Sequence, residues 1–447
     1  MAEIENKLIV EIEEVREHFS SLMDKLIKDI KRQEKIMARA DKRQKKEYDE
    51  LQQRLEEVQK LQLAQKELMD SFIKIIAEAI DAKSAYTGGH CERVPEIAIM
   101  LAEAADKSEK IDFEIHNDDE KREISIAAWL HDCGKVVTPE YVVDKATKLE
   151  TIYNRIHEIR TRFEVIHRDL TIQALKRKLA GEDEKEVDEW LTKAHQQLQE
   201  EFEFIANVNV GGEFMTDEAK EKVKKIAKRE WIRHFDDTLG LSYMERVAVE
   251  NKDKTLPAKE YLLSDKPEHI IPRDKKEIED FKKWNFKMDI PENLYNRGEV
   301  YNLMVNRGTL TKEEFFKIQE HVVMTIKMLE QLPFPENLKN VPLYAGAHHE
   351  TLIGTGYPRK LKKEDLPIPA RIMAIADVFE ALTASDRPYK SPKKLSEAIK
   401  ILSFMVKDKH LDEDLFKLFL ESGIYMEYAK KYLKPFQIDE VDISQYL

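Results

Sequence analysis

The first 78 residues contain neither proline nor glycine, so this end of the chain can form one uninterrupted helix. Both residues are common signals for the end of a helix, and their absence leaves the helical pattern unbroken. Apolar side chains recur here at spacings of three and four, and Lys, Glu and Arg fill most of the positions between them. This periodicity predicts a single long helix that carries one apolar stripe.

The stripe follows a heptad pattern from the middle of this stretch onwards, although several of its contact positions are polar. Its contact positions are Met37, Gln44, Tyr48, Leu51, Leu55, Val58, Gln62, Gln65, Met69, Phe72 and Ile76. Polar residues inside an apolar seam are typical of two-stranded coiled coils, where they select the register. We therefore predict a homodimer that forms through this arm. A long solvated helix that folds back on its own domain would have the same pattern, and this alternative stays open.

Composition excludes several classes of function. The net charge of −13 argues against binding of a nucleic-acid polymer, which needs a basic surface. The chain contains no run of about 20 apolar residues, so we predict no membrane insertion. The two cysteines, Cys91 and Cys133, supply no disulfide framework, and the acidic N-terminus is unlike a secretory signal. We therefore expect a cytoplasmic protein, with both cysteines acting as small packing residues.

Several histidines and aspartates occur in settings where core packing explains them poorly. A single histidine on an apolar face is usually an ordinary core residue. A carboxylate such as Asp377, within the apolar run RIMAIADVFEAL, costs several kcal/mol to bury unless it is paired or binds a cation. The adjacent pairs His131-Asp132 and His348-His349 are also unusual as core filling. Together with His90 and His321, they predict a metal site with nitrogen and oxygen ligands, which suits Fe, Mn, Zn, Ni or Co.

The sequence around these residues resembles a known family of phosphohydrolases. His131-Asp132 is similar to the doublet of the HD superfamily, and HHETLIGTGYP resembles the signature of its HD-GYP subgroup. The segments YTGGHCERV, HDCGKVVTPEYVV and ADVFEALTASDRPYK resemble other blocks of that subgroup and occur in the same order. The similarity covers roughly residues 79–149 and 300–430, which is about half of the chain.

The resemblance implies a binuclear metal site. In it, His90, His131, Asp132 and Asp377 would hold one divalent ion, and His321, His348 and His349 would hold a second. Asp132 would bridge the two ions. Fe or Mn is favoured, and Zn, Ni or Co would also suit these ligands.

The resemblance also implies a substrate pocket beside the metals. Asp132 and Lys135 would be the catalytic residues, with Lys135 close to the scissile phosphate. Arg387 and Lys390 match family positions that contact substrate phosphate, and Tyr357 would shape the pocket wall. Positive charge at 359–363 would steer an anion towards the site, or would simply be a solvated loop; the sequence favours neither.

The implied reaction is hydrolysis of cyclic di-GMP to pGpG, and after a second cut to GMP, by a hydroxide held between the two metals. One alternative is a related enzyme that acts on another nucleotide such as cyclic GMP-AMP. A second alternative is a non-catalytic di-iron or nucleotide-binding sensor.

Two features depart from the family pattern. Tyr86 occupies the position of a glutamate that binds a third metal in some members, so we expect two metals. Residues 150–300 have no counterpart in compact members and are predicted to be a helical insertion. The family places its next ligand eleven residues after a conserved leucine, which fits Leu310 and His321; Leu149 and His157 are only eight apart.

The predicted fold is therefore all-α. It consists of an HD-type helical bundle, an N-terminal coiled-coil arm and a large helical insertion. The predicted boundaries are 1–78 for the arm, 79–149 for the first catalytic part, 150–300 for the insertion and 301–447 for the second catalytic part.

Overall fold

The structure is a computed structural model that describes residues 1–83, 89–212, 214–250, 253–384 and 392–447. Within these ranges it contains sixteen helices and four short strands, which confirms the all-α prediction. The chain separates into two compact units, Met1–Phe72 and Ile73–Leu447. Among the described residues, no helix combines the length and the apolar character needed to cross a bilayer.

The first unit is helical throughout. Helix α1 runs from Ala2 to Asp81, so the long helix predicted from the missing prolines and glycines is present. The contact positions Leu51, Leu55 and Val58 are 65%, 58% and 49% exposed in the single chain. The last two turns of α1 differ, because Ile73, Ala77 and Ile80 are buried. Dimerisation through the exposed seam stays a prediction.

The second unit contains fifteen helices in the described ranges. They are α2 His90–Asp106, α3 Asp118–Leu130, α4 Glu140–Val143, α5 Ile156–Leu179, α6 Glu184–Val210, α7 Asp217–Ala227, α8 Tyr243–Ala248, α9 Lys275–Lys283, α10 Glu299–Leu303, α11 Lys312–Leu329, α12 Val341–Gly346, α13 Ile368–Thr383, α14 Leu395–Lys407, α15 Glu413–Glu421 and α16 Ile424–Tyr432. Helix α2 packs against α3 and α13, and α12 packs against α3, α11 and α13. These five helices form the bundle that carries the candidate site.

The four strands form two antiparallel pairs within the segment predicted as an insertion. Strand β1 (Glu230–Arg233) pairs with β2 (Ala258–Tyr261), and β3 (Ile270–Pro272) pairs with β4 (Asn293–Asn296). The sequence analysis predicted a helical insertion here and no strands. Strands of three or four residues are too short to show the alternating pattern by which strands are recognised.

Helices α5, α6 and α7 share a hydrophobic core of their own. Its buried residues are Leu149, Ile156, Ile159, Phe163, Ile166, Leu198, Ile205, Met215, Val223, Ile226, Ala227, Leu262, Leu263 and Leu303. The chain leaves and re-enters the bundle that carries the candidate site at neighbouring points. Thr309 Oγ1 donates to Lys145 O at 3.0 Å, and Lys145 Nζ lies 2.8 Å from Glu314. This is expected of an inserted segment, because its two ends must lie close together. The boundaries 150 and 300 remain predictions.

Candidate metal centre

His90 is the first residue of α2, and a glycine sets the backbone before it. Gly89 has a φ of 83°, a left-handed conformation that other residues rarely adopt. The Asp81 carboxylate accepts hydrogen bonds from the backbone N–H groups of Gly89 and Cys91, both at 3.1 Å. The end of α1 thereby holds the start of α2 and directs the His90 side chain into the bundle, where it is 4% exposed.

His131 and Asp132 lie where α3 turns towards α11. A Cβ at Gly134 would lie 1.9 Å from the carbonyl oxygen of His321, so only glycine permits this approach. Gly134 N donates to Thr325 Oγ1 at 2.9 Å, and Thr325 Oγ1 donates to His131 O at 3.0 Å. The turn is therefore pressed against α11, which brings His321 beside the His-Asp pair.

His348 and His349 follow α12. The GYP residues, Gly356-Tyr357-Pro358, fold back over them. Tyr357 N donates to His349 O at 3.2 Å, and the Tyr357 ring stacks on the His349 ring with centroids 4.9 Å apart. Gly356 permits this return, since a Cβ there would lie 2.5 Å from Glu350 Cα. Asp377 reaches the same space from the middle of α13, where Ala376 and Phe379 are buried.

The structure brings all seven candidate metal ligands together. The possible ligand atoms lie within 4.8 Å of one another in each of three overlapping groups: His90, His131 and Asp377; His131, Asp132 and His348; and His321, His348 and His349. The two oxygens of Asp132 face different groups. Asp132 Oδ2 lies 3.3 Å from both His90 Nε2 and His131 Nε2, whereas Oδ1 lies 3.2 Å from His321 Nε2. Asp132 therefore has the orientation of a bridging carboxylate.

Four of the histidines are oriented by hydrogen bonds at the ring nitrogen that faces away from the centre. The Nδ1 atoms of His131, His321 and His348 lie 2.6–2.7 Å from the backbone oxygens three residues earlier, and His90 Nδ1 bonds to Glu380. The Nε2 atoms of the same four histidines are buried and have no hydrogen-bond partner in the described part of the chain. Donation through Nδ1 leaves a lone pair on Nε2, which is the form that binds a metal. The residues present therefore fit a metal site.

The charges of Asp132 and His348 agree with this interpretation. Burial disfavours ionisation of Asp132, but Lys135 and His131 outweigh it and hold the pKa of Asp132 well below its usual range. Burial also lowers the pKa of His131, yet the Asp132 carboxylate raises it to about 9 overall, so a metal ion bound here would displace a proton from this ring. Burial and the neighbouring His131 lower the pKa of His348 to about 3. An anionic Asp132 and a neutral His348 are the forms in which these side chains bind cations.

The residues predicted to contact substrate are described only in part. Lys135 Nζ contacts Asp132 Oδ2, and its side chain is 26% exposed, so it lies at the edge of the cluster. Tyr357 lies over His349 as described. Arg387 and Lys390, the predicted phosphate contacts, lie outside the described residues, and so does Tyr86.

Two residues that support the site were missed by the sequence analysis. Glu380 is fully buried, bonds to His90 Nδ1 and accepts from Arg93 Nε at 2.7 Å. Its position one turn after Asp377, on the same apolar helix, was an available signal for a second buried carboxylate. Thr325, one turn after His321, carried no comparable signal, because burying a hydroxyl costs much less than burying a carboxylate.

Neither His157 nor the two cysteines belongs to the groups of described residues that could hold a metal ion. His157 is exposed on α5 and its Nδ1 contacts Arg160 at 3.3 Å. Cys91 and Cys133 are free and buried, and burial raises the pKa of Cys133 to about 12. A thiol with that pKa is protonated at neutral pH, which fits the predicted packing role better than metal binding.

Comparisons with known proteins found an HD domain match and relatives that are named as phosphodiesterases. Residues 257–415 match the HD domain family; this range includes His321, His348, His349 and Asp377 and begins inside the predicted insertion. The chain is 33% identical over 151 residues to the 3'3'-cGAMP-specific phosphodiesterase 1 of Vibrio cholerae serotype O1, which covers 32% of this chain and 34% of that protein.

Two further relatives are named for a different cyclic dinucleotide. The chain is 39% identical over 98 residues to a cyclic di-GMP phosphodiesterase of Thermotoga maritima, covering 22% of this chain and 26% of the relative. It is 34% identical over 141 residues to a cyclic di-GMP phosphodiesterase of Pseudomonas aeruginosa, covering 31% and 30%. The chain therefore spans between 26% and 34% of the length of these three relatives.

Proposed function

We propose that this chain, whose residues 257–415 match the HD domain family, hydrolyses a cyclic dinucleotide. Cyclic di-GMP is the leading substrate, and the products would be pGpG and, after a second cut, GMP. The observation that carries the proposal is the position of Asp132, whose two oxygens face different groups of histidines. A carboxylate placed in this way suits a two-metal hydrolase better than a site for one structural ion.

We propose the same division of the ligands between two metal ions that the family resemblance implies. His90, His131, Asp132 and Asp377 would hold one divalent ion, and Asp132 would be shared with an ion held by His321, His348 and His349. Two such ions, with Fe or Mn favoured, would supply an activated water and would neutralise the charge that develops during phosphoryl displacement. Nitrogen and carboxylate oxygen ligands without thiolate support this choice of metals.

The protein's own side chains have separate tasks in this proposal. Lys135, held beside Asp132, would bind a non-bridging oxygen of the scissile phosphate and place it next to the cluster. Tyr357 would form the pocket wall over His349. Arg387 and Lys390 remain predicted phosphate contacts, in which a guanidinium at 387 would offer two parallel hydrogen bonds. Holding the phosphodiester in this way orients it for in-line attack by water and departure of the ribose 3′ oxygen.

Cyclic GMP-AMP is a second candidate substrate, because three of the relatives are named as specific for it. The two substrates differ in one base and share the phosphodiester linkage, so the metal cluster does not discriminate between them. The choice depends on residues that contact the bases.

We also propose that the chain forms a homodimer through α1. The exposed seam supports this, and a second run with the same spacing precedes it, at Leu8, Ile12, Val15, Phe19, Leu22 and Leu26, all at least 53% exposed. Exposed apolar residues in heptad register are stabilised by pairing with a second helix. A cytoplasmic location completes the proposal, and the two free, buried cysteines are compatible with it.

The proposal is tested by metal analysis and turnover on protein purified without oxygen. The full chain should contain about two equivalents of divalent metal, and it should convert cyclic di-GMP to pGpG in a chromatographic assay. Cyclic GMP-AMP and cyclic di-AMP serve as competing substrates, and Asp132→Ala as the inactive control. Metal-loaded protein that hydrolyses none of the three would refute the proposed function. Faster hydrolysis of cyclic GMP-AMP would establish the second candidate.

A further inference from the structure

Residues 284–291, which follow α9 inside the predicted insertion, contact the GYP residues directly. Lys287 N donates a hydrogen bond to Pro358 O at 2.8 Å. A backbone bond between two irregular segments fixes their separation whatever side chain is present at 287. The 284–291 segment therefore lies against the outer side of the loop that carries Tyr357.

Aromatic packing strengthens this contact. Phe286 is 8% exposed and belongs to a hydrophobic cluster with Phe281 and Phe316, against which Tyr357 also packs. The rings of Phe281 and Phe286 meet edge to face with centroids 5.9 Å apart. Trp284 lies parallel to Phe286, at 6.4 Å and an interplanar angle of 4°. Such pairs add stabilisation beyond the buried area alone.

Charged groups add two further contacts between the segment and the loop. The guanidinium of Arg359 lies over the Phe286 ring, 5.6 Å from its centroid. Lys360 Nζ lies 3.7 Å from Asp289. The second pair is exposed and weak, whereas the first covers a buried ring and contributes more.

On its inner side the same loop touches a candidate metal ligand. The Tyr357 ring stacks on His349, and Tyr357 N donates to His349 O. Residues 357–360 are thus held between the 284–291 segment on one side and His349 on the other. A loop without regular secondary structure depends on such contacts for a defined position.

We propose that the 284–291 segment is a substrate-positioning element, with Phe286 as its central positioning residue. It holds residues 357–360 against His349 and so sets the wall of the pocket. The role of the segment in substrate binding rests on the proposed function, whereas its role in holding residues 357–360 does not. Because none of its residues belongs to the candidate ligand set, the segment should affect binding of the nucleotide and leave metal binding unchanged.

The test compares four variants of the full-length chain. Phe286→Ala removes the central ring, and Trp284→Ala, at a half-buried position, serves if the first variant fails to fold. Phe286→Leu keeps most of the apolar volume and is the rescue variant. Phe204→Ala is the control, because Phe204 is an aromatic residue of the predicted insertion that is half-buried like Trp284. It is covered by Lys222 Nζ at 4.2 Å and packs on the core of α5 to α7 instead of the loop.

The readouts are hydrogen exchange at the amides of Tyr357, Arg359 and Leu361, metal content, and separate values of kcat and KM for cyclic di-GMP. Phe286→Ala and Trp284→Ala should raise exchange at these amides roughly tenfold, as expected when a local contact is lost. KM should rise by a similar factor with kcat and metal content nearly unchanged. Phe286→Leu should have exchange rates and a KM close to those of the wild-type chain. Phe204→Ala should change none of these values.

Unchanged exchange at 357–361 in both Phe286→Ala and Trp284→Ala would overturn the proposal. Equal effects of Phe204→Ala would also overturn it, because the cause would then be general destabilisation. A loosened loop with an unchanged KM would reject the positioning role. If the wild-type chain hydrolyses no cyclic dinucleotide, the proposed function fails, and the exchange measurements still decide whether the segment holds the loop.

Discussion

Asp132 Oδ1 lies 3.2 Å from His321 Nε2, although the whole predicted insertion separates these residues in sequence. The other carboxylate oxygen faces His90 and His131. The contact is possible because Gly134 lets the His-Asp turn approach the backbone of α11 closely. The two groups of candidate ligands are therefore joined through one side chain.

Replacement of Asp132 with alanine should remove both metals and all hydrolysis. The carboxylate is the only proposed ligand that would be shared, and its loss would leave neighbouring imidazoles without the anion that holds the cations together. Elemental analysis of the purified variant measures this directly. Metal content near that of the wild-type protein would contradict the bridging assignment.

His321→Ala should reduce kcat/KM by orders of magnitude, whereas His157→Ala should be nearly silent. His321 is buried and faces Asp132, while His157 is exposed on α5. Steady-state kinetics on both variants, with metal content measured on the same preparations, separates the two histidines. The reverse result would mean that the insertion boundaries are misplaced.

Glu380→Ala should weaken metal binding by about 10- to 100-fold, which is the usual effect of losing a carboxylate behind a ligand histidine. Glu380 orients His90 through Nδ1 and also pairs with Arg93. Competition with a chelator measures the affinity. Glu421→Ala, at a partly exposed site on α15, is the control. An affinity equal to that of the wild-type protein would show that the helix backbone alone orients His90.

Lys148 should make stability depend on pH in the alkaline range. It is 3% exposed, donates to the carbonyl oxygens of Leu303 and Val305 at 2.9 Å, and burial lowers its pKa to about 8. Between pH 8 and the ordinary lysine pKa of about 10.4, the unfolded chain binds more protons than the folded one. The free energy of unfolding should therefore rise with pH, by at most about 1.4 kcal/mol per unit.

The measurement is chemical denaturation of the wild-type chain and Lys148→Met at about pH 7.5 and about pH 9.5, one value below and one above the lowered pKa of about 8. The difference in unfolding free energy between the two proteins should grow in favour of the wild-type chain at the higher pH. A constant difference would show that Lys148 keeps an ordinary pKa in the folded protein.

Removal of residues 1–72 should produce a monomer with the metal centre intact. The buried residues of α1 begin at Ile73, so this cut leaves the part that packs on the bundle. The exposed heptad seam would be lost. Light scattering measures the mass and elemental analysis the metal content. An unchanged oligomeric mass would place the dimer contact elsewhere in the chain.

Local patterns were sufficient for the long helix and for the identity of the candidate ligands. Helix α1 follows from residues 1–78 alone, because helical hydrogen bonds are local and neither proline nor glycine interrupts them. His131-Asp132 and His348-His349 stand out because adjacent polar pairs are poor core filling. The spacing argument favoured His321 over His157, and the structure brings His321 to the cluster. The short strands within 230–296 could not be recognised, since their pairing is non-local.

The sequence by itself determined which side chains could bind a metal, and the tertiary structure decided how they are arranged and supported. The division of the Asp132 oxygens between two groups, the bond from Glu380 to His90 and the packing of residues 284–291 on the GYP loop all join segments far apart in the chain. Contacts of this kind leave no periodic trace in the sequence. They exist only once burial of the apolar helix faces has brought the segments together.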